Sequence, residues 1–281
     1  MKIISNQFSL LNLVTVSMSL FALSVLTLFP NDVFAGSVPV IENKTVSNIY
    51  INDFTFSHVG TGSDLLAVVL VAHRYGAPGG IEGVTYGGQE MTLAQSTDYG
   101  LAYVYYLENA PAGQQVVNVN VLNAAYLANR PVLATALTIT GADLDNAISS
   151  TEAYSGEFDN TIEKTINTTG ENSLILSVLG TTSGTDPSPL GEGHISIQDG
   201  IYNFGIYGFG YKEAENSGPY ILGWSTTNQG NDFGLALVEI SSSNTIIDNY
   251  PLYTQVTSTY PSLEETTEWF DDEYASGSAS D

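Results

Sequence analysis

The chain has 281 residues, of which 30 are acidic and 6 are basic, and its formal net charge is −24. The basic residues are scattered singly, so no basic patch can neutralise a row of phosphates, and we exclude nucleic acid and anionic membrane surfaces as partners. There is no cysteine, which removes disulfides, thiolate chemistry and Cys-based zinc sites.

The N-terminus has the pattern of a secretory signal peptide. Met1 and Lys2 give a short positive start, an apolar stretch runs from Phe8 to Phe29, and Val33-Phe34-Ala35 resembles a cleavage site. We therefore predict a signal peptide over residues 1–35, cleaved after Ala35, and a protein that is secreted or held at the cell surface. An uncleaved membrane anchor is the alternative, because the apolar stretch is nearly long enough to span a bilayer.

Residues 46–240 read as short apolar or alternating runs separated by clusters of Gly, Pro, Asn, Asp and Ser, which is typical of strands and turns. Val117–Val121 alternates valine with asparagine, which predicts one buried and one wet face. Leu65–Ala72 is apolar without alternation, which predicts a central strand covered on both sides. In chain order, the predicted strands are Ile49–Ser57, Leu65–His73, Gly83–Tyr86, Glu90–Ala94, Leu101–Leu107, Val116–Leu122, Val132–Thr140, Thr161–Asn167, Leu174–Gly180, His194–Gln198, Phe204–Tyr211, Tyr220–Thr226 and Phe233–Ile240.

A run of strands with no helix between them must bury its faces by packing sheet on sheet. We therefore predict an all-β fold, a two-sheet antiparallel sandwich of the jelly-roll-like kind, because about a dozen strands are too many for an immunoglobulin domain. The predicted single domain spans residues 36–241 and is followed by a flexible acidic tail over 242–281. We recognise no internal repeat in the sequence.

The predicted tail differs in composition from the rest of the chain. It has no lysine or arginine and many carboxylates, so it repels itself and is expected to be loose. It also carries several aromatic residues, which suggests an alternative: that the tail adds a strand to the sheet edge of another copy. These aromatic residues are Tyr250, Tyr253, Tyr260, Trp269, Phe270 and Tyr274.

Five segments occur in an order that resembles a widespread group of bacterial secreted β-sandwich domains of largely undefined function. They are Ser63–Val69, Val84–Thr92, Tyr106–Gly113, Ala136–Asp143 and Asn172–Leu176. The resemblance covers roughly residues 49–240 and implies a jelly-roll-like fold on secreted, cell-surface or modular extracellular proteins. It implies no catalytic residues, and the acidic aromatic tail departs from the family pattern.

Calcium is the metal that the sequence favours. Asp143, Asp145 and Asn146 form a short D-x-D-N run just after a predicted strand, and Ca²⁺ takes carboxylate and amide oxygens from loops of this kind. Glu157 and Asp159 follow in a glycine-containing loop. These residues predict a calcium site at the edge of the sandwich.

Other chemistries have weaker patterns. Gly223–Thr227 lacks the final glycine of a hydrolase nucleophile motif, and Glu90 and Glu108 are candidate groove carboxylates that are more simply read as rim residues. Gly208-Phe209-Gly210 is expected to let a strand bend or pack closely. The three histidines, in different segments, are expected to be unrelated surface or edge residues.

Aromatic residues cluster in neighbouring predicted strands, where they form either the core or a platform on which sugars stack. They are Tyr103, Tyr105, Tyr106, Phe204, Tyr207, Phe209, Tyr211, Tyr220 and Trp224.

The sequence favours a non-catalytic extracellular module for recognition, adhesion or matrix building, with a glycan or another copy of itself as partner. Two alternatives stay open. One is a self-assembling cell-surface or filament subunit that uses strand donation, and the other is a carbohydrate-active enzyme whose carboxylates are hidden among the many acids.

Overall fold

A computed structural model describes residues 37–48, 50, 52–74, 80–122, 131–202 and 205–243. This part of the chain contains β-strands, all paired antiparallel, and no helix, so the predicted all-β class is confirmed. The predicted signal peptide, and the predicted tail beyond residue 243, lie outside the described residues. The strands are β1 Val40–Val46, β2 Phe54–Gly60, β3 Leu65–His73, β4 Ile81–Tyr86, β5 Gln89–Glu90, β6 Thr92–Ser96, β7 Ala102–Ala110, β8 Gly113–Val121, β9 Val132–Thr140, β10 Ile148–Thr168, β11 Ser173–Thr181, β12 Ser188–Leu190, β13 Ile195–Tyr202, β14 Gly205–Ala214 and β15 Gly218–Ile240.

The strands form three hydrogen-bonded sheets, where the sequence predicted two. One has the order β2-β8-β4-β5, the next β1-β9-β3-β7-β6, and the third β10-β15-β11-β14-β13 with β12 paired to β15. The prediction was wrong because β10 and β15, with 21 and 23 residues, each supply two consecutive strand segments. Their pairing is interrupted where β10 goes from Asp159 to Thr161 and β15 goes from Gly230 to Ser225.

Three hydrophobic cores separate four layers of strands. On β3, Leu66 and Val68 belong to a core shared with the third sheet, whereas Leu65 and Ala67 belong to a core shared with the four-stranded sheet. Every residue of β3 is buried, which confirms the predicted central strand. A third core, which includes Trp224, lies between the folded-over ends of β10 and β15 and the remaining strands of the third sheet.

The two halves of the stack repeat one arrangement. We call β1–β9 the first sandwich and β10–β15 the second sandwich. The strand β3 in the first and β11 in the second each have nine residues, all buried, and each follows a left-handed residue, Asp64 or Asn172, with φ 54° in both. Phe54–Gly60 of β2 and residues 162–168 of β10 share the same alternation of buried and exposed side chains.

The irregularities of the sheets repeat as well. A β-bulge between Ile41 and Asn43 on β1 matches one between Ile148 and Ser150 on β10. A second bulge, between Leu93 and Gln95 on β6, matches one between residues 196 and 198 on β13. Bulges are specific features of a sheet, so their recurrence on these edge strands supports the correspondence of the two halves. The bulge between Leu65 and Ala67, where β3 pairs with β7, has no counterpart where β11 pairs with β14. The repeat is one of topology, and the sequence does not show it.

The two sandwiches are joined through the core between their five-stranded faces. Gly180 on β11 pairs with Gly234 on β15, and Leu101, just before β7, lies against both. A Cβ atom on Gly180 would lie 2.1 Å from the Leu101 carbonyl oxygen, so glycine is required for this close approach. At one edge, Lys44 Nζ donates to the Ile197 carbonyl oxygen at 3.3 Å.

Candidate functional site

The predicted calcium ligands share one connection, between β9 and β10. The backbone N–H of Asp145 donates to Asp143 Oδ1 at 3.0 Å, and Asp145 and Asn146 are exposed. Glu157 and Asp159 lie instead within β10, near its interruption. Among the described residues, no group of three or more His, Cys, Asp and Glu side chains is placed to hold a metal. Calcium binding in this loop therefore stays a prediction.

The candidate carboxylates Glu90 and Glu108 belong to different sheets, since Glu90 is on β5 and Glu108 is on β7. Ser225 lies within β15 and donates to the Ser188 carbonyl oxygen at 3.4 Å, so it sits on a strand and not at a sharp strand-to-helix turn. Ser225 therefore does not occupy the strand-to-helix turn of a hydrolase nucleophile.

An open groove of about 490 Å³ lies at one end of the second sandwich. Glu171, Glu213 and Glu215 line it, and all three are exposed. They come from the adjoining ends of β11 and β14, where the Asn172 N–H donates to the Glu215 carbonyl oxygen at 3.2 Å. The groove is thus lined by carboxylates and lies at the ends of two neighbouring strands.

The clustered aromatic residues mostly build the cores. Tyr103, Tyr105, Phe209 and Trp224 are buried, and burial raises the pKa of Tyr105 to about 12. Four more pack against core clusters while partly exposed, and Phe204 lies outside the described residues. These four are Tyr106, Tyr207, Tyr211 and Tyr220.

His194 and Ser177 form a serine–histidine pair inside the second sandwich. His194 Nε2 lies 2.8 Å from Ser177 Oγ, and Nδ1 lies 3.0 Å from the Leu190 carbonyl oxygen. Nδ1–H therefore donates to that carbonyl, and Nε2 accepts the serine hydroxyl. Burial lowers the pKa of His194, whose ring also meets Trp224 edge-on at 5.1 Å.

The same pair lacks two features of a nucleophilic site. Ser177 is only 1% exposed, and the partner that orients the imidazole is a backbone carbonyl, where a catalytic triad has a carboxylate. Gly210 passes so close that a Cβ there would lie 2.4 Å from His194 Nε2. The pair therefore satisfies buried polar groups in a packed interior.

His58 is enclosed in the first sandwich. Its Nδ1 lies 2.8 Å from Thr45 Oγ1, its Nε2 lies 3.4 Å from Thr138 Oγ1, and burial lowers its pKa. His58 and His73 are fully buried, so neither is a surface residue, although His58 lies on β2, an edge strand of its sheet. Neighbouring residues gave no signal of this, because the burial comes from pairing with distant strands.

Glu239 is a buried carboxylate that the sequence did not single out. It accepts the backbone N–H groups of Thr169 and Gly170 at 3.0–3.1 Å, together with the Thr169 hydroxyl at 3.4 Å. These contacts fix the turn between β10 and β11. Its position in a run of aliphatic residues was the only available clue.

The outward face of the four-stranded sheet is a polar surface on which β2 and β8 carry no carboxylate, lysine or arginine, and β4 carries a single carboxylate, the exposed Glu82. We call it the amide face. Asn118 Nδ2 donates to Asn120 Oδ1 at 2.8 Å, and Val59 and Val116 are about half exposed, at 49% and 53%. The outward residues are Thr55, Ser57 and Val59 on β2, Gln114, Val116, Asn118 and Asn120 on β8, and Gly83 and Thr85 on β4.

No protein-family model, curated protein or solved structure matches this chain. Within the residues that the structure describes, no helix is long and apolar enough to cross a membrane. What the chain does is therefore inferred from the contacts described above.

Proposed function

We propose that this chain is a non-catalytic extracellular module for recognition, adhesion or matrix building. The signal-peptide pattern over residues 1–35 supports export. The net charge of −24 keeps the surface hydrated and repels polyanions, and we propose a glycan or another copy of the chain as the partner.

We further propose a jelly-roll-like fold for each sandwich. In the first, the order β1-β9-β3-β7 faces the order β2-β8-β4-β5, which is the pairing expected of two Greek keys. In the second, β10-β15-β11-β14 repeats the first of these orders. The motif order from Ser63 to Leu176 supports membership of the secreted β-sandwich family.

The observation that carries the non-catalytic proposal is the enclosure of the Ser177–His194 pair. It is the serine–histidine contact in the described residues that most resembles a nucleophile with its base, yet Ser177 is 1% exposed. A substrate carbonyl must reach the nucleophile to within about 3–3.5 Å. The packing of Gly210 and Trp224 around His194 leaves no such approach.

The test is a panel of polysaccharides and esters incubated with the mature chain from Gly36 onward. We expect no turnover. Turnover that disappears in Ser177→Ala, while circular dichroism shows the variant folded, would overturn the proposal. Turnover that disappears in Glu171→Gln or Glu213→Gln would instead establish the carbohydrate-active enzyme and place its site in the acidic groove.

One observation favours a self-assembling subunit as the second candidate. Edge strand β2 pairs over seven residues with β8 without a bulge, whereas the edges β1, β6, β10 and β13 are all bulged. A regular edge is where a donated strand adds, and bulges block such pairing. Light scattering with and without calcium should show large species that vanish when residues 244–281 are deleted. A monomer in every condition would exclude this candidate.

The calcium proposal has a separate test. Isothermal titration with calcium should give a signal that Asp143→Asn and Asp145→Asn each weaken. A titration without heat in the wild-type chain would exclude the site.

A further inference from the structure

The amide face differs from the rest of this acidic chain. The chain has 30 acidic residues, yet none of the nine outward residues on β2, β8 and β4 named above is charged. Carboxylates lie at the margins: Asp53, just before β2, accepts the Val121 N–H at 2.7 Å, Glu82 is in the bulged start of β4, and Glu90 is on β5. A partner that fits this face must therefore be bound without ion pairs.

The groups on the face suit hydroxyl-rich ligands. Each amide side chain of Gln114, Asn118 and Asn120 carries both donors and an acceptor, and the Asn118–Asn120 bond already fixes two of them. Outward side chains repeat roughly every 7 Å along a strand and about every 5 Å between strands. Val59 and Val116 add apolar surface against which the C–H face of a sugar ring packs.

The second sandwich provides an internal comparison. Through the paired registers of β2 with β8 and of β10 with β15, Val116 corresponds to Ile221, and both are exposed, at 53% and 57%. The amides are not repeated, and a carboxylate is added. The equivalent of Gln114 is Pro219, that of Asn118 is Gly223, and that of Asn120 is Ser225. The added carboxylate is Glu163, which takes the place of Thr55.

We propose that the amide face of the first sandwich binds a neutral polysaccharide, and that the equivalent face of the second sandwich does not. This rests on the proposed recognition function and names its ligand class. Hydrogen bonds from the amides orient the sugar hydroxyls, and the two valines contact the sugar rings. A polyanion is repelled by the surrounding carboxylates, and a polycation is drawn to those carboxylates in preference to this face.

The experiment measures binding of the mature chain to amylose, xylan, mannan and β-glucan, with alginate and chitosan as polyanionic and polycationic comparisons. Val116→Asp and Asn120→Asp should each weaken binding to the neutral polymer about tenfold or more, since each places a carboxylate against sugar groups. Ile221→Asp and Ser225→Asp are the matched controls and should bind as wild type. All four positions are on outward faces, and thermal unfolding verifies that each variant is folded.

The outcomes separate this proposal from the one it rests on. Loss of polymer binding in the first-sandwich variants alone supports the amide face as the binding surface. Equal effects in both sandwiches, binding to alginate or chitosan only, or no binding to any neutral polymer would each overturn it. None of these results measures turnover. The non-catalytic function is therefore tested separately, by the panel of polysaccharides and esters.

Discussion

The two sandwiches fill equivalent cores from opposite layers of strands. In the first, Tyr103 and Tyr105 of β7 project from the middle sheet toward Val119 of β8. In the second, the matching positions on β14 are Gly208 and Gly210, and the volume comes from Trp224 and His194, which lie against those glycines. Strand order and the bulges of β1, β6, β10 and β13 are thus shared, while the distribution of side-chain volume is exchanged. In a β-sandwich, the total side-chain volume of the core is tightly constrained, whereas either layer of strands can supply the large side chains.

The buried polar groups differ in the same way. Thr138 of β9 contacts His58, while the equivalent position on β15 is Glu239, which binds the turn after β10. The position equivalent to His58 is Ile166, because residues 162–168 of β10 match β2. The buried hydrogen bonds of the two sandwiches are therefore made by different residues at equivalent positions.

The largest expected effect comes from forcing the second core to resemble the first. A Cβ on Gly208 would lie 2.8 Å from three Trp224 ring atoms, so Gly208→Tyr should destabilise the chain by about 3 kcal/mol or more. Trp224→Val alone should cost about 3 kcal/mol through the cavity that it leaves. The double variant should lose clearly less than the sum, as measured by chemical denaturation. Additive losses would contradict the exchange of volume.

A smaller effect is expected at Glu239. Glu239→Gln keeps the shape but replaces one carboxylate oxygen with an NH₂ group that faces the Thr169 and Gly170 N–H donors. Leaving buried donors unsatisfied costs about 1–3 kcal/mol, so the free energy of unfolding should fall by about 2 kcal/mol. The control is Glu163→Gln, which is exposed on the same sandwich and should change almost nothing. Equal stability of both variants would show that the turn is held by other contacts.

The smallest expected effect is a loss of stability at acidic pH, to which one histidine in each sandwich contributes. Burial lowers the pKa of His58 and of His194 below the ordinary 6.5. The unfolded chain therefore binds more protons than the folded chain as the pH falls below about 6.5, so stability is fully present above that value and declines below it. His58→Gln and His194→Gln should each flatten part of this decline in denaturation series at several pH values. An unchanged slope in either variant would mean that the histidine in question is as readily protonated in the fold as in the unfolded chain.

The sequence predicted the central strands most accurately. Leu65–His73 and Val132–Thr140 are confirmed with the same bounds, because strands covered on both faces are continuously apolar. The missed elements are β1, β12 and the first part of β10, edge strands that are short or whose polar side chains hide the alternation. The fourth layer was missed because nothing local in β10 or β15 signals a passage between layers.

The candidate site was predictable only in part. The alternation of valine and asparagine in Val117–Val121 predicted a buried and a wet face, and the structure confirms both. That the wet face is uncharged on two neighbouring strands depends on the pairing of β8 with β2, which is distant in sequence. The repeat was invisible for a similar reason. Equivalent positions such as Tyr103 and Gly208 share geometry but not residue type.

The short pairing of Ser37 with Ser243 has a mechanical consequence. The chain enters and leaves the described fold side by side, and the hydroxyls of these two serines are hydrogen-bonded. Tension between the two flanking segments would load this pairing first and then peel β1, an edge strand, from β9 one residue at a time. In a single-molecule pulling experiment, the fold should therefore yield first by low-force unzipping of β1, with the three cores opening only at higher load.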